Sequence, residues 1–515
     1  MQTHFTDAQR TAPAVQRSES AIRKCVHCGF CTATCPTYVL LGDERDSPRG
    51  RIALIQNMLE AGGTPDAATV RHVDRCLSCL ACTTTCPAGV DYAQLIDHGR
   101  AYIAEHHERP WHDRLMRWTL AAVLPHRDRF RAALALAPLG RLVQPLLART
   151  AATRPLAAML ALAPRQLPKS EPAPTTTHQR RVLMLRGCAE PVLAPHIQAA
   201  TIRLLDRIGI GVDYADDGCC GALVHHIGEE DAARVMARAN IGRWEAALAR
   251  HDYSAIIVTA SGCGSQLKAY GKLLVDDLHY AARAARIAAL AKDWSEVVAD
   301  AGLPASVNGQ GLRIGYHAAC SLQHGQRVDA PRALLVAAGF DVVQPADAHL
   351  CCGSAGTYNI LQSELAGALR DRKLAALNAT GATVVASGNI GCLTQLAGDR
   401  LALVHSAELL DRRAAPGGTA CDICSTVARC LKSCKADRVG SELGSMTMRK
   451  LAILGAALLA LPALAQTPAK PLSAYKGDPV AGAKVFTACK VCHATTAGKN
   501  MIGPTLFGVV GRTSG

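Results

Sequence analysis

The stretch CVHCGFCTATCP (Cys25–Pro36) returns at Cys76–Pro87 as CLSCLACTTTCP. Both copies read C-x2-C-x2-C-x3-C-P, the spacing that holds paired [4Fe–4S] clusters. Three thiolates on one tight loop each reach an iron corner of a cubane, while the fourth corner faces away from that loop. The cysteine just before proline, leading into the next segment, therefore completes the other cluster. This crossing predicts cluster one on Cys25, Cys28, Cys31 and Cys86, and cluster two on Cys76, Cys79, Cys82 and Cys35. It also brings the two clusters close enough to exchange an electron. Zinc competes for any CxxC pair, but two complete copies ending in proline favour iron–sulfur.

Between the runs, RGRIALIQNMLEAGG (Arg49–Gly63) has helical apolar spacing and a glycine stop. An α-helical two-cluster ferredoxin domain over 15–107 is the expectation. The 22 cysteines of the 515-residue chain fall into groups of 8, 4, 4, 4 and 2. Such grouping points to metal or redox chemistry in a reducing compartment more than to a disulfide scaffold. The first residues, MQTHFTDAQR, lack an apolar core segment, so no cleavable export signal is expected there. The length exceeds one hydrophobic core, and 49% hydrophobic residues predict globular folding. A net charge of +14 comes with only 4% aromatics, few rings to stack on bases. Arginines scattered through apolar helical stretches suit an acidic membrane leaflet or partner subunit. No nucleic-acid partner is expected.

Residues 108–165 read as helices rich in Ala, Leu and Arg, broken by Pro110, Pro125, Pro138 and Pro145. No piece supplies the roughly 20 apolar residues of a membrane span. They read as helices packed on the ferredoxin domain, or as a basic amphipathic face lying on a membrane. Residues 166–180, rich in Pro and Thr, read as a linker.

The next 230 residues contain a duplication. The first copy has Cys188, then Cys219-Cys220-Gly221, then Cys263; the second has Cys320, then Cys351-Cys352-Gly353, then Cys392. The step from lone cysteine to pair is 31 residues in both copies, which predicts two similar lobes, 181–300 and 311–411. RVLMLRG (Arg181–Gly187), AIIVTASG (Ala255–Gly262), LRIGYH (Leu312–His317) and ATVVASG (Ala382–Gly388) read as strands. Glu229–Arg250 and Ser363–Gly381 read as helices between them, so each lobe is expected to be α/β with a parallel sheet. Functional groups of such sheets collect at the carboxyl ends of strands, where these cysteines fall. The eight thiols are candidate ligands of a further metal centre, or buried structural thiols. His225, His226, His317 and His324 lie near them, and each alone reads first as an ordinary polar residue at a strand end.

Here the residues meet known families. The repeat resembles the CCG (cysteine-rich) domains of heterodisulfide reductase subunits and of iron–sulfur subunits of flavin dehydrogenases. The former end each motif in CxxC, whereas this chain has Cys263-Gly264-Ser265-Gln266 and Cys392-Leu393-Thr394-Gln395. From about 20 to 410 the chain resembles the iron–sulfur subunits of bacterial glycolate oxidases. CVHCGFCTATCPTY, DSPRGRIALI, GCCGALVHH, TASGCGSQLKAYG, CSLQHGQ, HLCCGSAGTYN and GNIGCLTQLA carry that resemblance. It implies a complex with FAD-binding subunits that oxidise glycolate to glyoxylate. It also implies peripheral association with the cytoplasmic face of the inner membrane and electron delivery to the quinone pool or another respiratory acceptor. Two other readings stay open: a thiol–disulfide reductase using the CCG lobes, and the equivalent subunit of a lactate or glycerol-3-phosphate dehydrogenase. No proton-transfer residue is assigned on this chain.

After Leu410 the character changes. Residues 412–447 read as an unstructured spacer with Cys421, Cys424, Cys430 and Cys434. Residues 448–465, MRKLAILGAALLALPALA, have the basic start, apolar run and small-residue end of a signal peptide. Residues 477–515 resemble the start of a class I cytochrome c, an α-helical fragment. Cys489, Cys492 and His493 form the C-x-x-C-H site for haem c. The fragment is expected either as a periplasmic haem domain, if exported, or as a neighbouring gene fused by frameshift or readthrough.

Overall fold

The computed structural model describes residues 1–169, 177–398 and 401–414. The spacer cysteines, the signal-like 448–465, and the haem motif at Cys489, Cys492 and His493 lie outside the described residues, as do linker residues 170–176.

The ferredoxin region is helical, as its spacing predicts. The longest helix between its two cysteine runs, Pro48–Ala61, starts where the Ser47 hydroxyl accepts from Gly50 N and proline occupies the first turn; it stops at Gly62. Ile52, Ile55, Met58 and Leu59 on one face pack with Ile22, Val70, Val73, Leu95, Ile96 and Ile103 in one core. Burying such aliphatic side chains contributes roughly 1.5–3 kcal/mol each. The thiols Cys25, Cys76 and Cys82 form the edge of the same core, so the cysteine loops rest on a rigid floor. Pro36 opens the helix Pro36–Leu41 directly after Cys35, which leaves Cys35 extended at its start.

Helices Trp111–Val123, Arg127–Arg141 and Arg154–Leu162 make up most of the segment that follows. Arg109 and Arg117 tie it to the ferredoxin region by pairing with Asp74 at 2.7 and 3.2 Å. Burial alone would raise the Asp74 carboxyl, but the two guanidinium groups hold it below its ordinary value.

The two lobes carry eight strands: β1 (Arg180–Met184), β2 (Ile210–Asp213), β3 (Ile256–Val258), β4 (Ala291–Asp293), β5 (Arg313–His317), β6 (Asp341–Val343), β7 (Val384–Ser387) and β8 (Ala402–His405). They form two parallel four-stranded sheets of order β2-β1-β3-β4 and β6-β5-β7-β8. In each, the chain reverses its direction of winding between the two central strands. The resulting crevice opens at their carboxyl ends, where such sheets bind ligands. The expected helices are present as Glu230–Leu248 and Ser363–Asn378.

The lobes share a core. Val182, Met184 and Ile257 of the first sheet join Ile314, Tyr316, Val384 and Val404 of the second, through Trp294, Leu335 and Leu410 on the helices between them. Helix Ser406–Ala414, following β8, packs on Pro195–Arg207 of the first lobe. There Asp411 receives Arg203 at 2.7 Å and Arg207 at 2.8 Å. Among the described residues no helix is long and apolar enough to cross a membrane.

Candidate iron–sulfur and thiol sites

Two small cavities in the ferredoxin region sort the eight cysteines. One is lined by Cys25, Cys28 and Cys31 together with Cys86. The other is lined by Cys35 together with Cys76, Cys79 and Cys82; Cys82 also touches the first. Each cavity's lining thus includes a thiol from the other run, Cys86 in the first and Cys35 in the second. The loops also share a turn. The second and fourth residues after each first cysteine are left-handed: His27 (φ 55°) and Gly29 (φ 84°), Ser78 (φ 50°) and Leu80 (φ 62°). Three of these are not glycine, so both loops hold strain where the backbone curls around the cavity.

The donor chemistry fits a multivalent iron cluster. All eight are free thiols. Burial, then neighbouring thiolates, push Cys79 and Cys82 well above the ordinary thiol range. Crowded thiols that resist ionisation together are relieved by a bound cation, which makes ligation and proton release one event. Charge distinguishes the cavities. Beside the second, Arg51 is buried, pairs with Asp46 at 3.2 Å and donates to Thr37 Oγ1 at 3.0 Å and to Cys35 Sγ at 3.8 Å. Arg100 donates to Ser78 Oγ at 2.7 Å and to the Cys76 carbonyl. Burial raises the Cys76 thiol, yet Arg51 and Arg100 outweigh it and hold it below its ordinary value. Two guanidinium groups therefore favour negative charge at the second cavity.

The lobe cysteines also assemble. In the first lobe Cys219 accepts from the thiols of Cys188 and Cys220, which holds it well below the usual range, and Cys220 in turn touches Cys263. In the second lobe Cys320 and Cys351 Sγ lie 3.7 Å apart, and Cys352 contacts Cys351 and Cys392. The glycine after each pair is needed. Gly221 (φ +86°) and Gly353 (φ +89°) let the pair pass a helix backbone, and a Cβ on Gly353 would lie 2.6 Å from the Ala366 carbonyl. Where CxxC would supply another cysteine, Gln395 instead accepts from Asn359 at 3.0 Å and donates to the Ala366 carbonyl at 3.1 Å. Gln266 stands at the matching position of the first lobe, also buried.

The lobes differ in one residue that the spacing passes over. His317, three residues before Cys320, is buried with neither ring nitrogen hydrogen-bonded. One of its nitrogens lies with the Cys352 and Cys392 sulfurs within 4.8 Å of one another. Burial pushes its imidazole down to about 3, so it is neutral and its lone pair is available to a cation. The first lobe has Leu185 at this position; the signal in the sequence was a histidine in one copy against a leucine in the other. The other histidines have different surroundings. His324 Nδ1 is 2.8 Å from Thr84 Oγ1, His225 sits 4.0 Å from Asp97, and His226 is pushed down to about 3 by burial and Arg100.

The second lobe meets the ferredoxin region at its thiols. Cys79 packs with Cys320, Cys351, Leu77 and Tyr358 in one cluster. After burial itself, Cys320 does most to raise the Cys79 thiol. One cysteine of the second cavity is thus in contact with the thiol group of the second lobe.

Comparison with known proteins agrees with this anatomy. Residues 21–90 match the 4Fe-4S dicluster domain family, and residues 182–268 and 314–397 each match the cysteine-rich domain family. The glycolate oxidase iron-sulfur subunit of Escherichia coli is 41% identical over 415 residues, covering 80% of this chain and 99% of the relative. This chain belongs to the glycolate oxidase iron–sulfur subunit family. A Bacillus subtilis protein named as a probable member is 32% identical over 76% of this chain and 94% of its own length. Lactate utilization protein A of Geobacillus kaustophilus is 29% identical, but spans only 45% of this chain. Membership in the glycolate oxidase family therefore rests on the dicluster domain and both lobes together.

Proposed function

We propose that this chain is the electron-transfer subunit of a membrane-associated glycolate oxidase. FAD-binding partner subunits would oxidise glycolate to glyoxylate, and this chain would pass the electrons to the quinone pool or another respiratory acceptor. Cys25, Cys28, Cys31 and Cys86 would hold one [4Fe–4S] cluster, and Cys76, Cys79, Cys82 and Cys35 the other. Such clusters supply one-electron redox steps. The observation that carries the reading is the pair of crossed cysteine cavities set on one rigid helical core.

The chain's own residues do the rest. Arg51 and Arg100 bias negative charge toward the second cavity, the one that touches the second lobe through Cys79. His317, Cys352 and Cys392, with Cys320 and Cys351 beside them, would hold a further metal centre there. The segment 108–165 carries ten arginines against three acidic residues, and its exposed apolar side chains favour docking at the cytoplasmic face of the inner membrane. The disulfide-reductase reading loses support from Gln266 and Gln395, both buried where another cysteine would be required.

The test is iron, labile sulfide and EPR on the anaerobically purified full chain, followed by reconstitution with its FAD-binding partners. About eight irons with two interacting reduced signals are expected from the dicluster domain. Replacing Cys86 with Ser should remove the signal of the Cys25–Cys31 loop, and Cys35→Ser that of the Cys76–Cys82 loop. If Cys86→Ser instead disturbed only the Cys76–Cys82 signal, the crossed assignment would be wrong. A reconstituted complex that reduces no dye with glycolate would sink the functional reading.

A further inference from the structure

A cavity of about 300 Å³ lies at the carboxyl ends of β1 and β3. That is the crevice of the first sheet, and its volume lies at the lower end of the roughly 300–1,000 Å³ typical of small-molecule sites. Its far wall carries Cys188, Cys220 and Cys263. Its near wall is the helical segment, with Phe130, Leu134 and Ala137 on one helix and Met159 and Leu160 on another.

Three observations define what fits. First, the lining is dominantly apolar; Arg186, Glu190, Gln198 and Thr259 supply polar groups beside β1 and β3, and the second lobe adds others, Asn359 and Asn389 among them. Glu190 is 4% exposed; its Oε1 accepts from Thr259 and, at 3.2 Å, from Gln198, while Oε2 has no partner. A buried carboxyl with one open oxygen disfavours an anionic hydroxy acid and suits a neutral molecule with hydroxyl or carbonyl oxygens. Second, helix Arg127–Arg141 is apolar on two faces. Phe130, Leu134 and Ala137 face the cavity, whereas Leu136 and Leu139 are exposed and continue into exposed Leu142, Val143 and Leu146. A helix apolar on two faces has something apolar on both. Third, nine of the large apolar side chains most exposed in the described residues lie between Trp111 and Leu156, among arginines. That pairing suits a bilayer surface with acidic headgroups.

We propose that this cavity binds the head of a lipid-soluble quinone, drawn from the bilayer past the Leu136–Leu146 stripe. The inference rests on the reading above that the chain delivers electrons to a respiratory acceptor. The ring sits toward Glu190 and Arg186: the open carboxyl oxygen accepts a hydroquinone hydroxyl, and the guanidinium donates to a quinone carbonyl. The tail runs along Phe130, Leu134 and Leu160. Reduction takes two electrons from the iron–sulfur centres and two protons from water to give the hydroquinone, with no bond to the protein.

The experiment uses the full chain with its partner subunits in nanodiscs containing acidic phospholipid, and a short-tailed azidoquinone as photolabel. Labelled peptides should map to residues 123–137, 159–163 and 185–190. Ala137→Phe fills the cavity, and Ala133→Trp narrows it from an exposed rim position that the fold tolerates. Each should lower labelling and quinone reduction at least about tenfold, with iron content as the folding check. Labelling elsewhere, labelling unchanged in both variants, or equal displacement by a fatty alcohol of the same tail length would overturn the proposal. Glycolate-dependent reduction of a water-soluble dye by the unaltered complex reports separately on the underlying reading: if that fails, labelling still decides the cavity.

Discussion

Arg51→Met isolates the charge beside the second cysteine cavity. Arg51 is fully buried and its guanidinium lies 3.8 Å from Cys35 Sγ. At about 4 Å and an effective dielectric constant of about 20, one unit charge is worth about 4 kcal/mol. Asp46, 3.2 Å from Arg51, carries the opposite charge and cancels part of that. Taking half gives about 2 kcal/mol, or about 90 mV for a one-electron couple. A reduced cluster is more negative than an oxidised one, so losing the cation should lower the potential at this cavity. Arg51→Lys keeps the charge and should hold most of it. The assay is an EPR-monitored redox titration of the full chain at matched iron content. Asp46→Asn offers the converse: removing the anion should raise the potential. Arg51→Met also breaks a buried pair, a class of change costing about 3–5 kcal/mol. Arg75 remains on Asp46 at 2.9 Å and keeps the cost near the lower end. An Arg51→Met protein with full iron content and a midpoint within about 20 mV of the unaltered chain would refute the electrostatic account.

Other consequences follow from single contacts. Asp293 is fully buried and burial pushes its carboxyl up to about 7, so the folded chain keeps a proton that the unfolded chain releases. Its contribution is greatest at acid pH and is lost as pH rises from about 4 to about 7. Asp293→Asn should therefore remove about 3 kcal/mol of the stability decline between pH 5 and 8, measured by urea unfolding at the two pH values. Gly353→Ala should cost about 3 kcal/mol or more, because its Cβ would lie 2.6 Å from the Ala366 carbonyl at positive φ. Gly221→Ala meets Ala233 at 3.3 Å and should cost less; equal thermal shifts would contradict the packing difference. His317→Leu, which copies Leu185 of the first lobe, should lower metal content by elemental analysis while leaving both ferredoxin EPR signals in place.

The strands legible in the sequence were those whose positions are buried on both faces. β1, β3, β5 and β7 are the central strands; β3 and most of β7 are apolar runs, β1 is buried after a leading arginine pair and β5 after a single leading arginine. The edge strands β2, β4, β6 and β8 have three or four residues each, and sequences such as AKD and IGVD carry no periodicity to read. The cysteine sets were legible because ligand spacing is local chemistry. What spacing could not show was that Cys79 rests on Cys320, since that contact is made by folding two distant segments together.

The duplication then explains why the lobes have different neighbours. Both retain the lone cysteine, the Cys-Cys-Gly turn and the later cysteine, so both gather four thiols at the mouth of a parallel sheet. At the end of the first central strand one copy has His317 and the other Leu185. The imidazole places a ring nitrogen beside the second-lobe thiols, and Cys79 of the ferredoxin region packs with the same thiol group. The leucine makes the first lobe's crevice more apolar, and that crevice lies under the helices with the exposed stripe. The difference between His317 and Leu185 is one of those that set the two thiol sites apart chemically.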